Sequence, residues 1–346
     1  MEAKRYNIVV IGCKMGVRHI KAVVGNENAN LYGICDINEE KMAEVAALYN
    51  PKKTTTDWKE FANDPEVDVA IVVTPDKLHL EMTEGFLRAG KHVLCEKPMA
   101  LSVEECEKMM QVEKETGKKL MVGQVGRFVP AYRRAKRMID EGVIGELFYV
   151  ESEYAHNYGD HHRGANDWRL DPDRHPVIGG GCHAIDLLRW IAGDPTEVYG
   201  ISNHKCLTDW PVDDSCVCLL KFPNGVNGKV FTSIGCKKNS RHRSAFFGTK
   251  GTIFCSNLDN TLTLFTGDEK HPIYGREWYT VPQPIPVTIH HHNTEDELKM
   301  FLSAIMNDGP CAISTYDGAS TVAVCCAVVE SCKTGMPVQV KYPEKP

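Results

Sequence analysis

The sequence predicts an α/β fold in two parts: a doubly wound parallel sheet, then an α/β half carrying a large, mainly antiparallel open sheet. Three observations predict it. Short apolar runs alternate with amphipathic stretches up to Gly123, as in a parallel sheet covered by helices. After Gly123 the texture changes to one helical pattern, an extended run and a long polar loop. From Glu197 onward strand-like runs are joined by turns, among them Pro223-Asn224-Gly225 and the Gly248 to Gly251 segment. The division expected is 1–123 for a first domain and 124–346 for a second, and 346 residues fit two domains of ordinary size.

The strands of the first part are Ile8 to Ile11, Leu31 to Cys35, Val67 to Val73, His92 to Cys95 and Leu120 to Val122, with helical patterns between them. Ser102 with Glu105 forms a capping box that opens one of those helices. In the second part helices are expected at Val129 to Glu141, Glu295 to Met306 and Gly318 to Ser331, and an extended run at Glu146 to Glu153.

With 42% hydrophobic and 25% charged residues the chain reads as an ordinary soluble globular protein. A net charge of -6 disfavours nucleic acid or an anionic membrane as partner, because both need a concentrated basic surface. The one dense basic run, Lys237 to Arg243, reads as a solvated loop, with a phosphate-facing role as the alternative. Met1 to Asn7 leads directly into a strand pattern, without the apolar stretch of a signal peptide or membrane span. The fourteen cysteines are scattered through apolar segments such as Val324 to Val328, and no pair of CxxC units suggests zinc. They read as buried thiols in a reducing compartment, so a cytoplasmic location is expected.

The first strand ends in Gly12-Cys13-Lys14-Met15-Gly16 and a helix follows, which places glycines where backbone approaches a pyrophosphate at a helix N-terminus. The turn lacks the middle glycine of GxGxxG and is one residue short, with Lys14 in its bend. By itself it reads equally as a tight strand-to-helix turn. Asp36 ends the second strand twenty residues past Gly16, where a carboxylate binds ribose hydroxyls and repels a 2′-phosphate. The two together predict a Rossmann domain that takes NAD rather than NADP.

Thr74, Pro75 and His79, in Val73-Thr74-Pro75-Asp76-Lys77-Leu78-His79, and Glu96 and Lys97, in Cys95-Glu96-Lys97-Pro98, fall at the same strand ends and are expected at the cofactor. The order of glycine turn, acidic strand end, VVTPDKLH and CEKP resembles the Gfo/Idh/MocA oxidoreductases, over nearly the whole chain. The resemblance implies that Lys97 lies beside the nicotinamide ribose and the reacting hydroxyl. It further implies that the open sheet of the second domain serves as an interface between copies of the chain. Independently, a lysine at a strand's carboxyl end donates to a substrate oxygen, and burial would lower its pKa towards proton-transfer range. Pro98 restricts Lys97 to extended backbone.

Gly179-Gly180-Gly181-Cys182-His183-Ala184-Ile185-Asp186 resembles the family's glycine-rich entry to a helix carrying the catalytic histidine. His183 is the expected general base, since its ordinary pKa lies near neutrality. Relatives carry an aspartate four residues before this histidine, where this chain has Gly179. Asp186 lies three residues on, placed either to orient His183 and meet substrate or to face solvent. Gln124 and Arg127 follow the last strand of the first domain, where relatives place residues that touch substrate or nicotinamide. The loop from Tyr154 to His175, with His156, Asn157, Tyr158, His161, His162 and Arg163, suits carbohydrate, because aromatic faces pack on sugar faces. Its histidines with Asp160 leave a metal site as an alternative. Trp168-Arg169 resembles a family segment near the cofactor, the plain alternative being a buried tryptophan beside a surface arginine. His290, His291 and His292 are placed either at the substrate mouth or in a solvated loop.

The activity implied is hydride transfer between NAD and a secondary hydroxyl of a sugar or glycoside bound between the domains, the C3 hydroxyl of a glycoside by subgroup resemblance. Two rivals stand beside it: a glycosidase that retains NAD and oxidises only transiently, and an NAD-binding sugar sensor without turnover.

Overall fold

The computed structural model describes residues 4–159, 167–267, 282–290 and 292–345. They form two compact units, one of residues 1–124, 293–322 and 343–346, the other of 125–292 and 323–342.

The first unit holds β1 (Tyr6–Ile11), α1 (Val17–Val24), β2 (Ala29–Cys35), α2 (Glu39–Tyr49), β3 (Lys53–Thr55), α3 (Trp58–Ala62), β4 (Val69–Val72), α4 (His79–Arg88), β5 (His92–Glu96), α5 (Val103–Thr116) and β6 (Leu120–Gly123). Its six strands are all parallel in the order β3-β2-β1-β4-β5-β6. The order reverses between β1 and β4, the place where an open α/β sheet leaves a crevice at its carboxyl edge. The central strands are apolar at nearly every position because helices cover both faces; Val69 to Val72 are all buried. Short β3 escapes the sequence pattern, having three residues of which two are exposed. The capping box forms, Glu105 N–H donating to Ser102 Oγ at 3.2 Å while Leu101 N–H donates to Glu105 Oε2 at 3.1 Å.

The second unit holds α6 (Pro130–Asp140), β7 (Leu147–Ala155), α7 (Cys182–Ala192), β8 (Glu197–Asn203), β9 (Ser215–Lys221), β10 (Asn227–Ser233), β11 (Arg243–Gly248), β12 (Gly251–Ser256), β13 (Thr261–Thr266) and β14 (Gln283–Pro286). Then come α8 (Thr294–Met306), α9 (Thr315–Thr334) and β15 (Val338–Gln339). The nine-stranded sheet runs β14-β13-β12-β11-β7-β10-β9-β8-β15 and is antiparallel except for the β7–β10 pair. Alternation decides its two faces. In β9, Cys216, Cys218 and Leu220 are buried while Val217 and Leu219 are exposed. Helices α6 and α7 cover the inner face. Gly225, at φ +83°, turns β9 into β10, and Thr249-Lys250 join β11 to β12.

The expectation of an uninterrupted second part from 124 onward is corrected. Residues 293–322 return to the first unit, where α8 buries Leu298, Phe301 and Leu302 and packs on α1. Apolar periodicity announces α8 as a helix but carries no information about which unit it joins. No helix among the described residues is long and apolar enough to cross a membrane.

Candidate active site

At the end of β1, Gly12 takes φ +100°, and a Cβ there would lie 2.4 Å from the Val73 carbonyl oxygen. A Cβ on Gly16 would lie 2.0 Å from the Gly12 carbonyl oxygen. Both positions therefore demand glycine, one for conformation and close approach, the other for packing of the helix start against the turn. Asp36 ties the turn to β2: its carboxylate accepts from Cys13 N–H at 2.6 Å and from Asn38 N–H at 2.9 Å. The Cys13 thiol turns inward and is fully buried, so of this residue only backbone faces the turn. Burial, together with the Asp36 charge, pushes that thiol up to about 12. Lys14 and Met15 are exposed.

The loops after β4 and β5 are clamped by one side chain. His79 is 1% exposed, with Nδ1 at 2.8 Å from Pro98 O and Nε2 at 3.0 Å from Thr74 O. Two carbonyl partners require both ring nitrogens to donate, which is the protonated form. Burial opposes that charge, but Cys95, Asp76 and the Pro98 carbonyl outweigh it and hold the pKa up at about 10. The expected direct contact of His79 with cofactor is thus corrected to a clamp beneath the two loops. Glu96 fixes the next segment, accepting from Lys97 N–H at 3.0 Å and meeting His19 Nε2 at 2.9 Å. Burial works against the Glu96 charge, yet His19 and Lys97 keep its carboxyl below the usual range. Glu297 of α8 is fully buried and has no hydrogen-bond partner on either oxygen, and burial together with the Glu96 charge raises its carboxyl well above the usual range. Lys97 itself is partly exposed.

In the second unit a π-helical turn, Val177–Gly181, runs straight into α7 and delivers His183 to the wall of a pocket. Tyr132, Glu153, His242, Asn257 and His292 share that wall. His183 is partly exposed and stacks on Tyr154 with ring centres 5.6 Å apart. Tyr154 and Tyr158 are buried and share a hydrogen bond of 2.8 Å, while His156 Nε2 lies 2.9 Å from the Tyr154 hydroxyl. The expectation of open aromatic faces for a sugar is therefore corrected at Tyr154 and Tyr158, whose rings pack on imidazoles. Asp186 is 2% exposed and holds Arg127 in a two-pronged pair at 2.8 and 2.9 Å, which excludes the solvent-facing alternative. Arg169 is buried, bonded to Asp167 and laid over Trp168 at 4.3 Å, with Trp168 partly exposed. That is the reverse of a buried tryptophan beside a surface arginine.

Two family models match the chain: residues 6–124 fit an oxidoreductase family with an NAD-binding Rossmann fold, and residues 132–254 fit the Gfo/Idh/MocA C-terminal domain. The chain belongs to the Gfo/Idh/MocA oxidoreductases. Among curated relatives it is 28% identical to inositol 2-dehydrogenase 2 of Saccharopolyspora erythraea, across 98% of this chain and 97% of that protein. It is 27% identical to levoglucosan dehydrogenase of Pseudarthrobacter phenanthrenivorans, across 86% of each. The structure of a levoglucosan dehydrogenase with NADH superposes at a TM-score of 0.88, with 25% identity, over 98% of this chain and 100% of that one.

As a Gfo/Idh/MocA protein the chain is an NAD-binding oxidoreductase. Its first unit fits the dinucleotide on its own geometry. The turn has no room for side chains at Gly12 or Gly16, and two polar groups near the strand ends are buried with no hydrogen-bond partner: Thr74 Oγ1 and the Gln124 carboxamide. At the carboxyl edge of the sheet, polar atoms left in this way are open to a bond from a ligand. Sequence reading missed His19, Glu297, Arg174 and His242. His19 stands three residues after Gly16 on the buried face of α1, a legible position, whereas the other three gain meaning only through folding. Of the histidine triplet, His292 lines the pocket, His290 is exposed and His291 lies outside the described residues, as do Asp160, His161, His162 and Arg163. The metal alternative built on Asp160 and the loop histidines falls there too. The basic run folds back on acid, with Lys238 and Arg243 both bound to Glu153.

Proposed function

We propose that this chain is an NAD-dependent dehydrogenase of a neutral polyol, transferring hydride between the nicotinamide and a secondary hydroxyl of a sugar or glycoside, the C3 hydroxyl of a glycoside in its finer form. The observation that carries the reading is the wall around His183: an imidazole base set among Tyr132, His242, Asn257 and His292, groups that bond hydroxyls. The names of the relatives, inositol and levoglucosan dehydrogenases, support the same substrate class.

Bound on the first unit, NAD supplies the hydride acceptor. The residues do the rest. Gly12 and Gly16 let backbone reach the pyrophosphate, Asp36 takes ribose hydroxyls with the lone pairs its two backbone bonds leave, and Thr74 and Gln124 give their unused polar atoms to the cofactor. Lys97, oriented through its N–H by Glu96, donates to the reacting oxygen, and His183 accepts the hydroxyl proton. Arg127 and Asp186 hold α7 under that imidazole. Trp168 and Arg169 remain proposed cofactor contacts, and His156 a proposed substrate contact.

The test is NADH fluorescence with inositols, free sugars, levoglucosan and aryl glycosides. Lys97→Ala and His183→Ala are each expected to lower kcat by about 100- to 10,000-fold while NAD affinity stays within about twofold. Wild-type turnover in either variant overturns its assigned role. Release of aglycone without net NADH would move the reading to transient oxidation, and NAD binding with no response to the whole panel would leave a sensor.

The outer face of the second unit's sheet carries Tyr149, Phe247, Phe254 and Phe265 as a ladder of rings 5.5 to 5.7 Å apart, with Val217 and Leu219 exposed on β9 beyond the Lys229–Glu151 ion pair. Such an exposed ladder of rings supports a homo-oligomer through this sheet. Phe254→Glu is expected to yield monomers in sedimentation, and a monomeric wild type would end that proposal. The scatter of the fourteen cysteines through apolar segments supports a reducing, cytoplasmic setting.

A further inference from the structure

Gly179, Gly180 and Gly181 all lie outside the left-handed region, so conformation does not require them. Space does. A Cβ on Gly181 would lie 2.5 Å from Thr232 Oγ1, one on Gly180 2.2 Å from the Tyr154 ring, and one on Gly179 2.2 Å from both Cζ and Nη1 of Arg174. Arg174 is 5% exposed, lies over the Trp168 ring at 4.6 Å and donates from Nη2 to Gly179 O at 3.1 Å. The side-chain space of residue 179 is thus filled by a guanidinium that arrives from the preceding loop. Residue 179 precedes His183 by four positions along one continuous helical run, so that space lies about one turn from the imidazole. Tyr154, which stacks on His183, also feels this charge: burial raises its phenol far above the usual range and Arg174 opposes the rise.

We infer that Arg174 is a positioning residue for the base, its guanidinium standing in for a side chain at 179 and setting a fixed positive charge beside His183. The inference rests on the reading of His183 as the base. A nearby cation disfavours imidazolium, so His183 stays a neutral proton acceptor to lower pH than it otherwise would. Among the described residues, the charged and titratable groups that line the pocket with the imidazole are Tyr132 from α6, Glu153 from β7, and His242 and His292 from the loops. His156 adds to them through Tyr154. Glu153 is matched by Lys238 and Arg243, and Asp186 on α7 by Arg127. Each of these two carboxylates therefore carries a cation of its own.

The experiment has two arms. In the first, the pH dependence of kcat/KM is measured for wild type, Arg174→Met and Arg174→Lys. Removing the charge should move the acidic limb up by about one pH unit, and the lysine variant should hold it near the wild-type position. An unmoved limb in Arg174→Met overturns the inference, because a merely structural arginine changes stability or kcat but not that limb. The second arm needs no turnover. Gly179→Ala should lower the melting temperature, and the double variant Arg174→Ala with Gly179→Ala should recover most of the loss relative to Arg174→Ala. A Gly179→Ala variant as stable as wild type, or an equal loss in both backgrounds, overturns the proposed packing. If His183→Ala remains active the base assignment fails; if it is inactive and the acidic limb is fixed, only Arg174's role fails.

Discussion

Two glycine-rich segments organise the two units, and they need glycine for different reasons. At Gly12 and Gly16 the crowding atoms are main-chain carbonyls, and Gly12 adds a left-handed conformation. At Gly179, Gly180 and Gly181 the backbone is helical and the crowding atoms are ends of side chains: a guanidinium, a phenol ring and a hydroxyl. Backbone cannot be substituted away, whereas a side chain can. The first segment is an absolute requirement of the dinucleotide fold, while the second is a negotiated fit whose terms are set by residues 154, 174 and 232.

The largest effect should come from breaking the first segment. Gly12→Ala places a side chain at φ +100° and 2.4 Å from Val73 O, and is expected to cut NAD affinity at least about 100-fold, with no suppressor available at Val73. Calorimetric titration with NAD measures it, and wild-type affinity would mean the turn is not the cradle. Smaller and reversible is Gly181→Ala, expected to cost about 2 kcal/mol by overpacking against Thr232. In a Thr232→Ala background the same change should cost under about 0.5 kcal/mol, since Thr232 Oγ1 has no hydrogen-bond partner to lose and the Thr232 Cβ would sit 3.5 Å away. Denaturant midpoints decide it, and equal costs in the two backgrounds would refute the distinction between the segments.

The smallest expected effect sharpens the first unit. Glu297, fully buried beside Glu96, has its folded-state pKa well above the unfolded value of about 4.3. The folded state therefore binds the proton more tightly, and its contribution falls as pH rises from about 4.3 towards the folded pKa. Glu297→Gln removes that loss. It should melt a few degrees above wild type at pH 7, with the difference vanishing near pH 4. A variant that melts lower at pH 7 would mean the carboxylate is charged and partnered in the folded protein.

Much of the first unit was legible because its signals are local. Five of six strands, the turn at Gly12, Asp36 at the end of β2 and the capping box at Ser102 each follow from residues a few positions apart. Three-residue β3 was not, since two exposed positions leave no apolar pattern. In the second unit α6 and the turns at Gly225 and at Thr249-Lys250 were legible by the same rule. The Asp186 pairing with Arg127 was not, because 59 residues separate the partners and nothing local marks either as the other's counter-ion. Tyr154 and Tyr158 misled for a related reason: an aromatic near a polar loop looks like a sugar platform until burial shows it bonded to its neighbour.

By itself the sequence determined the parallel sheet, the dinucleotide turn and the identity of the two candidate reacting groups, Lys97 and His183, because period, turn chemistry and strand-end position are written in consecutive residues. Folding alone decided that α8 packs on α1 of the first unit, that His79 clamps two loops, and that a guanidinium fills the room left at Gly179. Those outcomes depend on which side chains meet across long stretches of chain, and such meetings are settled by packing and charge in three dimensions, for which no local pattern stands.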